Sequence, residues 1–435
     1  MCSSKRVFDT LHHSTTLKEP ITSMHKQEKI YIIGAGISGL IAAYELEKEG
    51  YLPVILEKGN EVGGRVKTLY EKGFTLDLGF QVLLNAYPLA KQYLDMDALQ
   101  LQHLSSGAFI YSNGNSYQIG DPSRNIKLLV PTLLAQIGSL RDKLKILKLN
   151  RRLKAKSIEE IFQEKEKTTY DYLVDFGFST QIIDTFFKPF FAGIFLEAEL
   201  STSSRMFEFV YKMFGEGEAT IPRLGIGEIS RQLQAKLKQT EFRFNSPVDS
   251  VDDNQLRLQN GEIIFHEGVI ISANAAPLIN NLTNQDIRWK SCMCLYFEVD
   301  QTNIPDKTIA LITDKGKYAN NLYAYKDPQT GKQVLSVTSL NYKEESDEEI
   351  TQKISHELRT YVGCSQIDHI HSYRIDQALP DIQNLKMSSQ ASETQVMDHV
   401  FLAGDYLLNG SLNAAMESGR LAASGLIEKK KGIFS

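Results

Sequence analysis

The apolar positions of this chain gather, near both ends, into short runs that stop at glycine. Lys29-Ile30-Tyr31-Ile32-Ile33 leads into Gly34-Ala35-Gly36-Ile37-Ser38-Gly39, and Val400-Phe401-Leu402-Ala403 leads into Gly404-Asp405. Continuous apolar runs of this length, bounded by glycine, predict strands buried on both faces. Leu40, Ala43, Tyr44 and Leu46 then recur at helical spacing until Gly50, so Ile30 to Ile55 predicts strand, glycine turn, helix and strand. A closing helix is predicted from about Leu412 to Lys429. Between the two ends, residues from about 84 to 215 have mainly helical spacing. Strands are predicted at Phe242–Val251, Ile263–Ser272, Cys292–Val299, Thr308–Thr313, Asn321–Tyr325, Val334–Leu340 and Ser372–Ala378.

The first glycine turn has a definite chemistry. Gly34 permits the tight turn, Gly36 lets backbone approach a pyrophosphate, and Gly39 lets helix pack close to strand. The helix that follows, opening through Ala35, Ile37 and Ser38, directs free N–H groups at the phosphates. Glu57 ends the next strand, 18 residues beyond Gly39; a carboxylate there accepts both ribose hydroxyls and repels a 2′-phosphate, favouring FAD or NAD over NADP. Gly63-Gly64-Arg65 follows, where a guanidinium can clamp pyrophosphate oxygens. Asp405 at the end of a buried strand needs a polar partner, which a ribityl chain supplies. The helix start near Ser411 and Leu412 offers N–H groups to the flavin N1/O2 edge. NAD has neither chain nor edge, so the cofactor expected is FAD.

The fold class implied is α/β: a Rossmann-like FAD-binding domain of discontinuous segments (29–84, 216–284 and 379–435) with an α+β substrate domain of mixed sheet plus helical insert. The substrate parts are 85–215, helical, and 285–378, sheet-rich. Residues 1–28 are expected to be a disordered extension, with Met24 an alternative start.

Composition narrows the partners. The chain has 435 residues, 42% hydrophobic and 23% charged, with a formal charge of −5. That balance offers no general attraction to nucleic acid, and no recognition motif for it occurs. Cys2, Cys292, Cys294 and Cys364 form neither a disulfide framework nor a CxxC pair. Cys292 and Cys294 alternate along a strand as small buried hydrophobes, and the setting expected is reducing and cytoplasmic. His371 has no second ligand at metal spacing, so no metal is expected. No apolar run approaches the ~20 residues that span a bilayer. Leu140 to Lys156, however, holds eight Lys or Arg against one Asp, with Leu144, Ile146 and Leu147 interleaved. Such a helix either rests on an anionic membrane as a peripheral contact or is a solvated face with an apolar underside.

From about Lys29 to Lys429 the chain resembles the FAD-dependent amine oxidase superfamily, and within it the phytoene desaturase and protoporphyrinogen oxidase branch. The resemblance rests on Gly34–Gly39, Glu57-Lys58-Gly59-Asn60-Glu61-Val62-Gly63-Gly64-Arg65, and Leu402–Asp405 with Gly410–Gly419. Asp77–Gln81, Lys188–Gly193 and Pro222–Gly225 add weaker similarity. The resemblance implies that Glu57, with Lys58 beside it, holds the adenosine ribose and Arg65 the pyrophosphate. It also implies that Val248 meets adenine through its backbone, and that Gly79, Phe80 and Gln81 lie near the flavin, with Gly404 and Asp405 near pyrophosphate and ribityl.

Amine oxidases carry a lysine on a substrate-domain strand beside the flavin. The comparable strand here, Ser291–Phe297, holds none, and Lys290 precedes it. Ser389–Asp398 is polar where they are aromatic, and Ser411 and Asn413 stand where they carry an aromatic and an acid. These departures point to a dehydrogenase or desaturase that passes hydride from an apolar small molecule to flavin N5. An amine or amino-acid oxidase using Lys290 or a water is the alternative, and a flavin-binding protein without turnover the third reading. No side chain qualifies as a general acid or base. Gln81 and Tyr296 are candidate pocket residues, and Phe186–Phe191 either lines a lipophilic channel or packs the helical insert.

Overall fold

The computed structural model describes residues 28–120, 138–280, 282 and 287–434. The extension expected over 1–28, Met24 included, lies outside the described residues except for Glu28. Among the described residues, a six-stranded sheet runs in the order Glu241–Arg243, Leu52–Leu56, Lys29–Ile33, Val269–Ile271, Val400–Leu402, Gln395–Met397. The first five strands are parallel, and the last is antiparallel to its neighbour. Because the central strands are almost wholly apolar, the middle of the sheet is buried on both faces. Ile30, Ile32, Ile55, Ile270 and Phe401 pack on one side, and Ile33, Val54, Leu56, Ile271 and Leu402 on the other.

Helices Ile37–Lys48 and Leu412–Lys430 cover the first of these faces and pack directly on one another. One glycine seats the first helix on its own turn, and a second allows the contact between the helices. A Cβ on Gly39 would meet the Gly34 carbonyl oxygen at 2.1 Å, and one on Gly419 would meet the Ser38 carbonyl oxygen at 2.2 Å. The two ends of the chain are thereby brought together through backbone contact.

A seven-stranded sheet is ordered Ile367–Pro380, Trp289–Val299, Gln333–Ser339, Asn321–Lys326, Ile309–Ile312, Gly107–Ser112, Asn115–Gly120. Its last two strands fall in the stretch whose spacing reads as helical. They form a hairpin about Asn113-Gly114, both at positive φ (51° and 74°), which matches the twist of the flanking strands. Two predicted strands also divide. Phe242–Val251 breaks into Glu241–Arg243 and Val248–Val251, in different sheets, because Asn245 turns at φ 51° and Pro247 has no N–H to give. Ile263–Ser272 breaks at His266–Gly268 into Ile263–Phe265 and Val269–Ile271.

A helical layer includes Leu140–Ala155, Lys188–Phe195 and Ser204–Glu216. Its centre is aromatic: the Phe187 ring centroid lies 4.9 Å from that of Phe178, and Phe191 lies 4.9 Å from Phe207. Among the described residues, no helix is long and apolar enough to cross a membrane.

Candidate functional site

Ile33, Leu56, Ile271 and Leu402 sit in register at the carboxyl edge of the parallel sheet, so Gly34, Glu57, Ser272 and the Ala403-Gly404 turn emerge side by side. In open α/β sheets this edge is where ligands bind. Here it is firmly built. The Ser272 hydroxyl lies 2.9 Å from both the Ile33 and Gly34 carbonyl oxygens. Glu57 Oε2 accepts from the Ala35 N–H and Oε1 from the Gly59 N–H, both at 2.8 Å, which fixes the carboxylate and leaves lone pairs on each oxygen. The Gly63 N–H donates to the Ala35 carbonyl at 2.9 Å, laying the Gly63-Gly64 turn on Gly36. Gly36 itself faces open space: a Cβ there would have no neighbour within 4 Å. It caps the helix Ile37–Lys48 without any side-chain hydrogen bond, so the first N–H groups are not covered by a capping side chain.

These elements border one cavity of about 1460 Å³. Single-ligand pockets usually run to roughly 300–1,000 Å³, so this one has room for a dinucleotide and a second molecule. It brings together Gly34, Gly36, Ile37, Ser38, Glu57, Lys58, Gly64, Arg65, Gly79, Phe80, Gln81, Val248, Gly404, Asp405, Ser411 and Leu412. Ala35 and Gly39 do not line it. Ala35 is buried in the core, and Gly39 is turned inward against Gly34 and Ser272.

Several of these side chains also have partners within the protein. Arg65 pairs with Asp405, Nη2 to Oδ1 at 2.5 Å, and its guanidinium lies 5.1 Å from the ring of Trp289. The partner of buried Asp405 is thus a cation from the opposite end of the chain. Gln81 spends its amide on the Arg65 and Leu78 carbonyls, at 2.8 and 2.9 Å, closing its own loop while lining the cavity. Tyr296 is outside the cavity: its hydroxyl donates to the Asp77 carbonyl at 2.8 Å, beside a separate space of about 50 Å³. Ser411 caps the closing helix by accepting from the Ala414 N–H at 3.0 Å.

The far wall comes from residues that sequence reasoning did not single out. Ile194 and Phe195 on one helix, Met206, Val210 and Phe214 on the next, and Ile309 and Leu311 on a strand make an apolar arm of the same cavity. Of the aromatic run Phe186–Phe191, Phe190 joins the arm, while Phe187 and Phe191 are fully buried in the insert. Lys290 lies within the strand Trp289–Val299, not ahead of it, and on the cavity. Its Nζ donates to the Thr202 hydroxyl at 2.9 Å and stands 3.8 Å from Asp381. Burial lowers its pKa, against the pull of Glu197 and Asp381. Cys292, also on the cavity, has its thiol pushed up to about 12, by burial first and the neighbouring Cys294 second. It stays protonated. Cys292, Cys294 and Cys364 are free and buried. Among the described residues no group of three or more His, Cys, Asp or Glu is placed to hold a metal; His371 packs 4.5 Å from the Tyr373 ring.

A carboxyl-edge glycine cleft joined to an apolar arm is the layout of a dinucleotide-binding protein with room for a second ligand. Residues 37–427 match the flavin containing amine oxidoreductase family, and the chain belongs to it. FAD is the cofactor of that family of oxidoreductases. Among curated relatives, L-amino-acid oxidase of Sistrurus catenatus edwardsii is 27% identical over 161 residues, 36% of this chain and 30% of that protein. A 4,4'-diapophytoene desaturase of Staphylococcus aureus is 45% identical over 56 residues, 13% of this chain and 11% of its own. The matches thus span less than a third of these relatives. A crystal structure from Exiguobacterium sp. 255-15, assigned as a protoporphyrinogen oxidase, superposes with a TM-score of 0.66 at 18% identity, covering 93% of this chain and 99% of that one. At that identity the likeness speaks for the fold.

The residues present fit FAD. Gly36 leaves a cradle that any side chain would fill, Glu57 is held with lone pairs to spare, and the closing helix starts on the cavity at Ser411 and Leu412.

Proposed function

We propose that this protein is a dehydrogenase or desaturase that removes hydride from a hydrophobic, isoprenoid-like small molecule. The observation that carries the reading is the apolar arm, in which Phe190, Phe195, Met206, Val210 and Phe214 border the same cavity as the glycine cleft. Bound FAD would accept hydride from one C–H bond, and the proton from the adjacent carbon would be released to solvent as the double bond forms. The chain's own residues hold and orient. Backbone at Gly34, Gly36, Ile37 and Ser38 would take the pyrophosphate, Glu57 the adenosine ribose, and Val248 the adenine. Asp405 and Arg65 would sit along the linker, and the N–H groups beyond Ser411 and Leu412 would face developing negative charge on the ring. The arm orients the substrate and excludes water, and needs no charged group to do so.

The second reading, an amine or amino-acid oxidase, is favoured by one observation: Lys290 reaches the cavity and burial depresses its pKa. Anaerobic reduction of the purified holoprotein separates the two. Bleaching of bound flavin by a polyene precursor, with no peroxide from primary amines, secondary amines or L-amino acids, is expected. Bleaching by amines alone would overturn the proposal in favour of the oxidase, and a flavin that no candidate reduces would leave a binding role.

A further inference from the structure

We propose that the helix Leu140–Ala155 docks the protein on an anionic lipid surface through its outward face. The helix is held inward by Leu149 and Leu153, both buried, with the Lys212 ammonium donating to the Leu153 carbonyl at 2.9 Å. At 3.6 residues per turn, Leu140, Leu144 and Leu147 then fall on the opposite side. They are 68%, 66% and 55% exposed. The apolar underside that the sequence allowed is therefore supplied by other leucines, and the helix carries a second apolar stripe that packs on nothing described.

The charges complete the pattern. Arg141 and Lys148 flank the leucine stripe on one side and Lys154 on the other, with Arg151 between the leucines. The helix's one acid, Asp142, is buried and accepts from the Ser139 and Ser179 backbone N–H groups at 2.8 and 2.9 Å. Arg152 and Lys156 turn instead toward Glu164 and Glu208. Among the described residues, the outward face thus presents apolar side chains flanked by cations, with the helix's one carboxylate buried beneath. An interfacial helix on anionic lipid has this distribution: leucines enter the acyl boundary while the cations meet the headgroups. Nucleic acid would match the cations but give the leucines nothing to bury against. The helix Ser204–Glu216 lies directly beneath, and its Met206, Val210 and Phe214 line the apolar arm, so one helix separates the docking face from the cavity. Docking does not depend on the substrate reading, although a lipophilic substrate would explain its use.

The test is sedimentation of the full-length holoprotein with phosphatidylcholine vesicles, with and without about 30 mol% phosphatidylglycerol. Binding at least about tenfold greater to the anionic vesicles is expected, weakening as salt rises. It should be lost in the triple variant Arg141→Glu, Arg151→Glu, Lys154→Glu, and weakened in Leu144→Ser with Leu147→Ser. Both variants should keep the wild-type melting temperature and flavin absorbance, because the altered side chains face away from the core. Absence of vesicle binding, equal binding to neutral vesicles, or binding that survives charge reversal would each overturn the proposal. So would light scattering that shows a dimer dispersed by the leucine variant, since the stripe would then be covered by a second copy.

Discussion

The two halves of the cavity are built on different principles. On the glycine side, position is set by backbone: Gly39 and Gly419 tolerate no Cβ, the Glu57 carboxylate is pinned by two N–H groups, and Gly36 is open toward the ligand space. On the apolar side, position is set by side-chain shape, from two helices and a strand edge. Backbone geometry of the first kind accepts few residues and leaves a spaced motif. Shape of the second kind accepts many hydrophobic combinations, so it can change substrate while the cofactor stays.

The contrast can be broken at graded cost. Gly39→Val should have the largest effect, since its Cβ would meet backbone rather than a movable side chain; a loss of about 3 kcal/mol in denaturant unfolding, with no retained flavin, is expected. Ile194→Trp, at a half-buried position, should fold and keep flavin while filling the arm. Flavin reduction by a lipophilic substrate should fall roughly tenfold or more in stopped-flow measurements. Equal loss of flavin in both variants would show that the halves are not separable.

Asp77 offers the smallest effect and a check on the segment that carries Gly79 to Gln81 to the cavity. It accepts from the Thr68 hydroxyl at 2.6 Å and the Ile226 N–H at 2.9 Å. Burial nevertheless raises its pKa from 3.8 to about 6. The folded state then binds this proton more tightly than the unfolded chain, so the contribution of Asp77 to stability falls as pH rises from about 4 to about 6. Asp77→Asn, which keeps an acceptor oxygen, should flatten that part of the melting-temperature profile relative to wild type. A profile identical to wild type would mean the carboxyl is ionised throughout.

What the sequence disclosed follows the same division. The strand, glycine turn and helix from Lys29 to Lys48 and the turn at Gly404 were legible because their spacing is dictated by backbone. The pairing of Arg65 with Asp405 was not, since the partners are 340 residues apart and neither needs a local pattern. Met206, Val210 and Phe214 were hidden for another reason: their i, i+4, i+8 spacing is that of any core helix. The hairpin at Gly107–Gly120 carries a local mark, Asn113-Gly114 between alternating residues, inside a stretch whose wider spacing is helical. The strand starts at Trp289, three residues ahead of the expected Cys292, so Lys290, expected just before the strand, stands within it.

The central claim is that glycine turns from the two ends of the chain hold a single FAD. It is tested most directly by titrating FAD into apoprotein and following the fluorescence of Trp289, the chain's only tryptophan, which borders the cavity. Wild type should show saturable quenching at one FAD per chain. Gly36→Val, whose new Cβ meets no protein atom, should melt at the wild-type temperature in the apo form yet bind FAD at least about 100-fold more weakly. A Gly36→Val protein that binds FAD as tightly as wild type, or a folded wild type that takes up none, would contradict the account.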